Sequence, residues 1–451
     1  MTPPAKHVVI IGAGFTGLAA GYEFAKAGVR VTLIDPDTQV GGLAGSFTVN
    51  GVPIEKFYHH WFTNDRHVID LVQELNLQAN VLHRPTRTGM YYAKTIFRLS
   101  NPLDVLKFTP LSFIDRLRLG WLAVRARMIK DWRDLESLTA AEWLQSLGGK
   151  NVYRVVWQPL LHGKFGPYAN DISAVWFWSK LKLRGGSRGD SGKEVLAYYQ
   201  GGFAALAGRI ATEIKNHGGE IRLGVAATGV RVDDDNRVVG VETSDGQILS
   251  ADAVLATPAL PIIAKLVERH APPAYVEQLR KIDYLGNVCL VLVLDRSLSD
   301  TYWLNVNAED FPYVGIIEHT NFEPPETYGG KHLVYLSKYL PIDSELYQMQ
   351  DEEVLEFSIP HIQRMFPEFR REWISDYHVW RAQYAQPIVV KHYSRLMPAL
   401  ESPLPGLCVA TMAQIYPEDR GTNYAIGLGR EAARQMLQSC VPMTNSTIDK
   451  L

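Results

Sequence analysis

Residues 8–35 read VVIIGAGFTGLAAGYEFAKAGVRVTLID, and this stretch decides the fold prediction. Its first four residues, 8–11, are apolar and predict a short buried strand, which a glycine-rich turn follows. The alanine-rich segment after the turn predicts a helix to about Lys26, and Gly28 ends that helix before a second buried strand over residues 29–34. Strand, helix and strand in this order form a βαβ unit, which implies a parallel sheet.

The glycines of this turn have the spacing of a Rossmann dinucleotide fingerprint. Gly12 permits the tight turn, Gly14 lets the backbone approach a pyrophosphate, and Gly17 allows close packing of helix on strand. The free N–H groups and positive dipole end of the helix then face the phosphates. Asp35 ends the second strand, where its carboxylate can accept bonds from ribose hydroxyls and disfavours the 2′-phosphate of NADP. The alternative is a glycine-rich turn that binds nothing, which the matching strand, spacing and acid disfavour.

The bulk composition is that of an ordinary globular enzyme. A chain of 451 residues is too long for one compact core and predicts two domains. Its 46 basic and 48 acidic residues leave a formal net charge of −2, so we expect no nucleic-acid partner. The three cysteines, Cys289, Cys408 and Cys440, lie far apart, which favours a reducing compartment over a disulfide scaffold or a cysteine metal site.

The sequence predicts neither export nor a membrane span. Only residues 1–7 precede the first apolar run, which leaves no room for a signal peptide. We find no uninterrupted apolar stretch of the roughly 18 residues that a transmembrane helix needs. We therefore expect a cytoplasmic protein that is soluble or associated with a membrane surface.

A second glycine cluster, VGGLAGS at residues 40–46, follows Asp35 closely. Such a cluster suits a backbone that passes close to a cofactor extending beyond its pyrophosphate. With it, the sequence resembles the FAD-dependent amine oxidase superfamily, which includes protoporphyrinogen oxidases, phytoene desaturases and UDP-galactopyranose mutases. Residues 218–258 resemble the middle FAD-binding segment of that family, and residues 405–433 resemble the segment that closes over the flavin. Many members have Arg where this chain has Leu43, and Gly-Asp where it has Thr411-Met412.

The resemblance implies FAD as the cofactor and an α/β fold, in which a Rossmann-like FAD-binding domain is interleaved with an α+β substrate domain. We expect the FAD-binding domain to comprise residues 1–75, 195–260 and 400–440, the substrate domain residues 76–194 and 261–399, and a flexible tail residues 441–451. A helix N-terminus near residue 423 is expected to face the N1/O2 side of the flavin and stabilise negative charge there. The predicted FAD contacts are Gly12, Gly14, Phe15, Thr16, Gly17, Asp35, Gly41, Gly42, Leu43, Ala44, Ala227 (through its backbone, facing adenine), Met412, Gly421, Thr422, Asn423 and Tyr424.

Three residues are candidates for catalysis: His59, His60 and Arg420. The two histidines lie in EKFYHHWFTND at residues 55–65, which resembles a histidine-containing stretch of the galactopyranose mutases that lies close to the flavin. Either histidine can position a substrate or exchange a proton near neutral pH. The alternative is one structural and one solvated histidine; a metal pair is disfavoured because neighbours on a strand point to opposite faces. Arg420 either holds a substrate anion or pairs with Asp419.

Two further segments have two interpretations each. Residues 157–184 mix aromatic and basic side chains, including Lys164, Trp176 and Lys180, which fits an amphiphilic or phosphorylated substrate, or an aromatic core with a basic rim. Residues 113–130 carry an apolar stripe at helical spacing, with basic residues beside it. This pattern is typical of a helix that contacts an anionic membrane, and also of ordinary core packing. The stripe comprises Ile114, Leu117, Trp121, Val124 and Met128.

The leading functional hypothesis is an FAD-dependent oxidoreductase that removes a hydride from a small or lipophilic organic substrate. The cofactor carries this chemistry, so no catalytic dyad need appear in the sequence. One alternative is a redox-neutral flavin-dependent sugar mutase, which residues 55–65 favour. Another is a non-enzymatic lipid carrier like the GDP-dissociation inhibitors, which the intact pyrophosphate glycines disfavour. The sequence leaves the substrate and the oligomeric state open.

Overall fold

The computed structural model describes residues 6–98, 102–184, 194–308 and 310–439; the predicted tail and Cys440 lie outside these ranges. The strands are, in chain order, β1 (His7–Ile11), β2 (Arg30–Asp35), β3 (Ser46–Val49), β4 (Val52–Glu55), β5 (Trp61–Phe62), β6 (Val81–Pro85), β7 (Thr88–Tyr92), β8 (Thr95–Arg98), β9 (Val195–Tyr199), β10 (Glu220–Leu223), β11 (Ala227–Val232), β12 (Val238–Thr243), β13 (Ile248–Ser250), β14 (Ala253–Ala256), β15 (Tyr284–Leu294), β16 (Trp303–Val306), β17 (Gly315–Glu318), β18 (His332–Leu340), β19 (Ile374–Pro387) and β20 (Leu407–Val409).

The helices separate these strands and fill most of the stretch between β8 and β9. They are α1 (Phe15–Lys26), α2 (Arg66–Glu74), α3 (Pro102–Leu106), α4 (Phe113–Met128), α5 (Ala140–Gly148), α6 (Lys150–Val152), α7 (Gln158–Phe165), α8 (Ala174–Arg184), α9 (Gly202–Asn216), α10 (Leu260–Val267), α11 (Pro273–Arg280), α12 (Glu345–Gln348), α13 (Asp351–Met365) and α14 (Thr422–Ser439).

The first large sheet is the parallel sheet that the βαβ unit predicts. Its five strands run in the order β10-β2-β1-β14-β20, and all four pairings are parallel. The β1 residues Val8, Val9 and Ile10 have no exposed surface, because helices or strands cover both faces of such a sheet. The carboxyl ends of the five strands share one edge, so the turns after β1 and β2 meet there. The predicted α/β class with a Rossmann-like sheet is confirmed.

The second large sheet is mixed and has seven strands, in the order β19-β15-β18-β17-β16-β7-β8. Its long strand β15, next to the edge strand β19, is buried along its length except at Tyr284, and α13 packs against β19. Two of its strands, β7 and β8, come before helices α3 to α8 in the chain. The other five, β15 to β19, come after these helices and after strands β9 to β14. The exact boundaries of the two domains stay a prediction.

Helix α4 contradicts one of the two interpretations of the apolar stripe. Its buried residues are Asp115, Leu119, Leu122 and Ala126, which lie opposite the stripe and face α5 and α8. All five stripe residues are exposed. Core packing is therefore the wrong explanation for this stripe, although the helix itself is correctly predicted. None of the described helices is long and apolar enough to cross a membrane.

Candidate active site

The first glycine turn has backbone angles and close backbone contacts that only glycine permits. Gly12 has a φ of +104°, and its N–H donates to the carbonyl oxygen of Ile34 at 2.8 Å. A Cβ on Gly17 would lie 1.9 Å from the Gly12 carbonyl oxygen, so α1 starts directly against the turn. Phe15 and Thr16, the first two helical residues, are buried.

The N-terminus of α1 suits an anionic ligand. Within the described ranges, no side chain caps this helix at Gly14. The first N–H groups of an α-helix have no partner inside the helix, and burial without a cap is unfavourable. A phosphate bound at this end would satisfy those groups and complement the helix dipole. The residues present therefore fit the pyrophosphate of a dinucleotide.

The second glycine cluster lies directly on the first. The N–H of Gly41 donates to the carbonyl oxygen of Ala13 at 2.9 Å. A Cβ on Gly42 would lie 3.2 Å from the Cα of Gly14, and Gly41 and Gly42 both have positive φ. In the same turn Ala44 is buried and Leu43 is exposed. Two clusters that the sequence places 28 residues apart thus form one cradle of bare backbone, which is tightest where Gly42 approaches Gly14.

Asp35 lies beside this cradle and holds its loops. One carboxylate oxygen accepts the N–H of Ala13 at 2.7 Å, and the other accepts the N–H of Asp37 at 2.9 Å. Burial raises the pKa of Asp35 above its ordinary value. The N–H of Val225 donates to the Asp35 carbonyl oxygen at 3.0 Å, which brings the start of β11, at Ala227, to the same edge.

The C-terminal segment closes on the same region through α14. Buried Asn423, in the first turn of α14, accepts the N–H of Val68 at 3.1 Å through its side chain. A Cβ on Gly429 would lie 2.2 Å from the carbonyl oxygen of Thr16, so α14 and the start of α1 are in close contact. Tyr424 packs against the ring of His67. Gly421 and Thr422 form the start of this helix, and Met412 lies in the short turn after β20.

The two candidate histidines have separate partners. The Nδ1 of His59 lies 2.5 Å from the Phe57 carbonyl oxygen, and its ring packs against Phe203. The Nδ1 of His60 lies 3.0 Å from the Tyr302 hydroxyl, and its ring packs against Trp303. Burial, with the Arg420 charge as a smaller contribution, lowers the pKa of His59 to about 4. His59 is therefore neutral at neutral pH, which favours a positioning role over proton exchange.

Arg420 directs its guanidinium at neutral partners. Its Nε donates to the side-chain oxygen of Gln386 at 3.1 Å, and an Nη donates to the Tyr339 hydroxyl at 2.7 Å. Among the described residues it forms no ion pair, so the interpretation that it pairs with Asp419 is wrong. The positive charge of Arg420 also interacts with the nearby Tyr58 side chain.

Asp419 instead pairs with the mixed aromatic and basic segment. One oxygen accepts the Trp176 indole N–H at 2.9 Å, and the other lies 2.5 Å from the Lys180 ammonium and 4.0 Å from the Lys164 ammonium. Burial alone would raise the pKa of Asp419, but Lys180, Lys164 and Arg420 outweigh burial and hold that pKa well below its usual range. Three cations therefore act on the Asp419 carboxylate, and Asp65 is a second carboxylate that interacts with Lys180. Trp176 is itself buried, so the segment provides both an aromatic core and a basic cluster.

The sequence interpretation missed the role of Glu55, a carboxylate that is 1% exposed. One oxygen accepts the N–H of Phe203 at 2.6 Å and the other accepts the Tyr198 hydroxyl at 2.8 Å, while its backbone carbonyl accepts the Tyr335 hydroxyl. No ion pair neutralises Glu55 within the part of the chain that the structure describes. Burial raises its pKa to about 7. In the sequence, Glu55 could have been noticed as an acid that ends an apolar strand just before His59. Its partners Tyr198 and Phe203 lie more than 140 residues away in the chain.

We expect Glu55→Gln to remove a pH dependence of stability. Because the folded-state pKa is raised, the folded protein holds a proton that the unfolded chain releases. The stabilisation is therefore complete below the ordinary glutamate pKa and is lost as pH rises through about 7. Urea unfolding should show the wild type losing on the order of 2 kcal/mol more than Glu55→Gln between about pH 5 and pH 8. The exposed Glu277→Gln is the control, and equal slopes for all three proteins would refute the assignment.

Comparison with known proteins identifies the family. The model of the flavin containing amine oxidoreductase family matches residues 15–437. A Mycobacterium tuberculosis protein named as flavin-containing monoamine oxidase AofH is 25% identical over 285 residues, 60% of this chain and 61% of that protein. Coproporphyrinogen III oxidase of Bacillus subtilis is 25% identical over 292 residues, 57% of this chain and 60% of that protein. The matched stretches thus span about three fifths of these relatives.

Solved structures share the fold over nearly the whole chain. Reduced UDP-galactopyranose mutase superposes with a TM-score of 0.74 at 16% identity, and the match covers 99% of this chain and 98% of the mutase. Cyclohexylamine oxidase from Brevibacterium oxydans superposes with a TM-score of 0.70 at 15% identity, covering 96% and 99% of the two chains. At such identities the likeness shows the fold alone, whereas the family model covers most of the sequence. The chain belongs to the flavin containing amine oxidoreductase family.

Proposed function

We propose that this chain is an FAD-dependent oxidoreductase that removes a hydride from a small or lipophilic organic substrate. The observation that carries the proposal is the cradle in which the Gly41–Gly42 backbone lies on Gly14 beside the uncapped N-terminus of α1. A single glycine turn would serve NAD equally well, but the second one suits a cofactor that continues past its pyrophosphate. Bound FAD would supply the hydride acceptor at the flavin ring.

The protein's own residues would hold and orient this cofactor. The amides at Gly14, Phe15 and Thr16 would bind the pyrophosphate, and Asp35 would accept bonds from the ribose. The Ala227 backbone would face the adenine. The start of α14 would place its positive dipole end toward the flavin.

We propose further that the substrate carries an anionic group. Arg420 forms no ion pair with a carboxylate among the described residues, and its guanidinium bonds the neutral side chains of Gln386 and Tyr339. A partly buried guanidinium without an ion-pair partner is unfavourable unless an anion neutralises it when the site is filled. Arg420 would hold that anion and neutral His59 would orient the substrate beside it. An amine without an anionic group would not use this guanidinium.

The test is the absorbance spectrum of the purified protein, followed by anaerobic titration with candidate substrates. We expect a flavin spectrum, and bleaching by a compound from a panel of amines, porphyrinogens, carotenoid precursors and sugar nucleotides. Anionic members should bleach the flavin, whereas their uncharged analogues should not. A colourless protein without affinity for added FAD would refute the proposal.

The alternative is a redox-neutral sugar mutase, which one observation favours. The basic cluster around Arg420 suits the diphosphate of a sugar nucleotide as well as it suits a carboxylate. Turnover that requires prereduced flavin, with no net electron transfer to any acceptor, would support the mutase and exclude the oxidoreductase.

We expect Asp35→Ala to lower FAD retention by about tenfold or more, because a hydrogen bond to a charged group is lost. The flavin-to-protein ratio after gel filtration measures retention, and urea unfolding of the flavin-free protein measures the loop contribution of Asp35. Asp35 also accepts the N–H groups of Ala13 and Asp37, so flavin-free stability should fall in either case. A ribose contact predicts that retention falls by more than this loss of stability accounts for, whereas a purely structural role predicts that the two fall in proportion. The exposed Asp234→Ala is the control. Unchanged retention would show that Asp35 does not bind the cofactor.

A further inference from the structure

Most of the exposed large apolar side chains among the described residues lie on or next to helices α3 and α4. We name this surface the α3–α4 face; its eight large apolar side chains are between 42% and 66% exposed. A contiguous exposed patch of this kind marks an interaction site on a soluble protein. The side chains are Leu103, Leu106, Phe113, Ile114, Leu117, Trp121, Val124 and Met128.

Basic residues border the α3–α4 face on both sides. At about 100° per residue, the apolar side chains of α4 occupy one arc of the helix surface. Arg118 and Arg125 lie at one edge of this arc, and Arg116 and Arg127 lie at the other. Residues 102–130 contain six basic side chains against two acidic ones, whereas the whole chain is slightly negative. The one acid of α4, Asp115, is buried on the opposite side of the helix, where it pairs with Arg118 at 3.1 Å and leaves the Arg118 side chain 55% exposed.

We propose that the α3–α4 face lies on an anionic lipid surface. An apolar arc between two basic edges would insert its side chains at the level of the acyl chains while its arginines reach the headgroups. A second copy of this chain is a poorer occupant, because a symmetric interface would bring the arginine edges of both copies together. Lipid headgroups of negative charge match both edges at once.

Helix α8 links the α3–α4 face to the candidate active site. The indole N–H of Trp178, on α8, donates to the Ala126 carbonyl oxygen of α4 at 2.7 Å. The same helix α8 carries Trp176 and Lys180, which contact Asp419. One helix therefore separates the proposed lipid contact from the basic cluster. This arrangement suits an amphiphilic substrate taken from the membrane, although the lipid contact itself does not depend on the flavin chemistry.

The test is co-sedimentation of the purified full-length protein with vesicles of phosphatidylcholine alone or mixed with phosphatidylglycerol. We expect binding to the mixed vesicles, weakened by high salt. The double variant Leu117→Glu/Trp121→Glu should lower the partition coefficient by at least about tenfold. Phe357→Glu alters an exposed apolar residue on α13 and should bind like the wild type. The variant Arg118→Gln/Arg125→Gln should lose affinity for mixed vesicles.

Three outcomes would overturn the proposal. The first is no binding of the wild type to anionic vesicles at low salt. The second is equal binding by the wild type and Leu117→Glu/Trp121→Glu, with thermal melting showing that both are folded. The third is a wild-type dimer that this variant converts to a monomer while vesicle binding stays absent, which would assign the face to a second copy.

Discussion

Gly17→Ala is expected to abolish flavin retention and to destabilise the protein by about 3 kcal/mol, at the upper end for overpacked sites. The added Cβ would lie 1.9 Å from the Gly12 carbonyl oxygen and 3.1 Å from its carbonyl carbon, both of them backbone atoms. A flexible side chain could move aside, but this backbone is held by the hydrogen bond from the Gly12 N–H to the Ile34 carbonyl oxygen. The start of α1 must therefore shift away from the turn, which displaces the amides proposed to bind the pyrophosphate.

The control for this substitution is Gly208→Ala in α9. A Cβ at Gly208 meets no atom within 4 Å, and alanine is favoured over glycine inside a helix by about 1 kcal/mol. The flavin-to-protein ratio and the urea midpoint should fall for Gly17→Ala and should hold or rise for Gly208→Ala. Full flavin content and an unchanged midpoint in Gly17→Ala would show that the close approach at Gly12 does not exist.

Asp419→Asn is expected to cost about 3 kcal/mol of stability, because breaking a buried charge pair leaves its partners uncompensated. The substitution retains the shape of the side chain but removes the negative charge that Lys180 and Lys164 contact. The Lys180 side chain is 38% exposed, so water stabilises part of its unpaired charge. The expected loss therefore lies at the lower end of the roughly 3–5 kcal/mol that is typical of broken buried ion pairs, about 3 kcal/mol. Because the Asp419 pKa is depressed in the folded protein, the wild type should lose stability as pH falls below the ordinary aspartate pKa.

The asparagine variant should lack that acid-side loss, since it has no carboxylate to protonate at this position. Glu418→Gln is the matched control, because it removes the neighbouring acid while the Asp419 cluster stays intact. Urea unfolding at several pH values measures both effects. Equal stability of Asp419→Asn and Glu418→Gln at neutral pH would mean that the cluster contributes nothing to the fold.

Much of the cofactor region follows from local sequence. The β1–α1–β2 unit was predicted from apolar runs and from glycines whose function is stereochemical, since only glycine tolerates the φ of Gly12 or the approach at Gly17. The second cluster at Gly41–Gly42 was predicted to approach the same ligand, and its backbone does lie on Gly14. The roles of individual residues in binding FAD stay predictions that the Asp35 and Gly17 variants test.

The partners of the polar side chains could not be predicted. Arg420 contacts Tyr339 and Gln386, which lie 81 and 34 residues away in the chain on two strands of the second sheet. The partners of Glu55 are also distant, on β9 and α9. Such contacts depend on how the sheets and helices assemble, and hydrophobic periodicity carries no information about them.

The sequence by itself determined the α/β class and the glycine turns, because both arise from local periodicity and backbone stereochemistry. Only the tertiary structure decided which side of α4 faces solvent. An apolar stripe has the same spacing whether it packs on a core or lies exposed, so spacing alone could not distinguish the two interpretations. The assembled fold buries Leu119 and Leu122 against α5 and α8 and leaves Trp121 outside, since only one face of the helix can contact its neighbours.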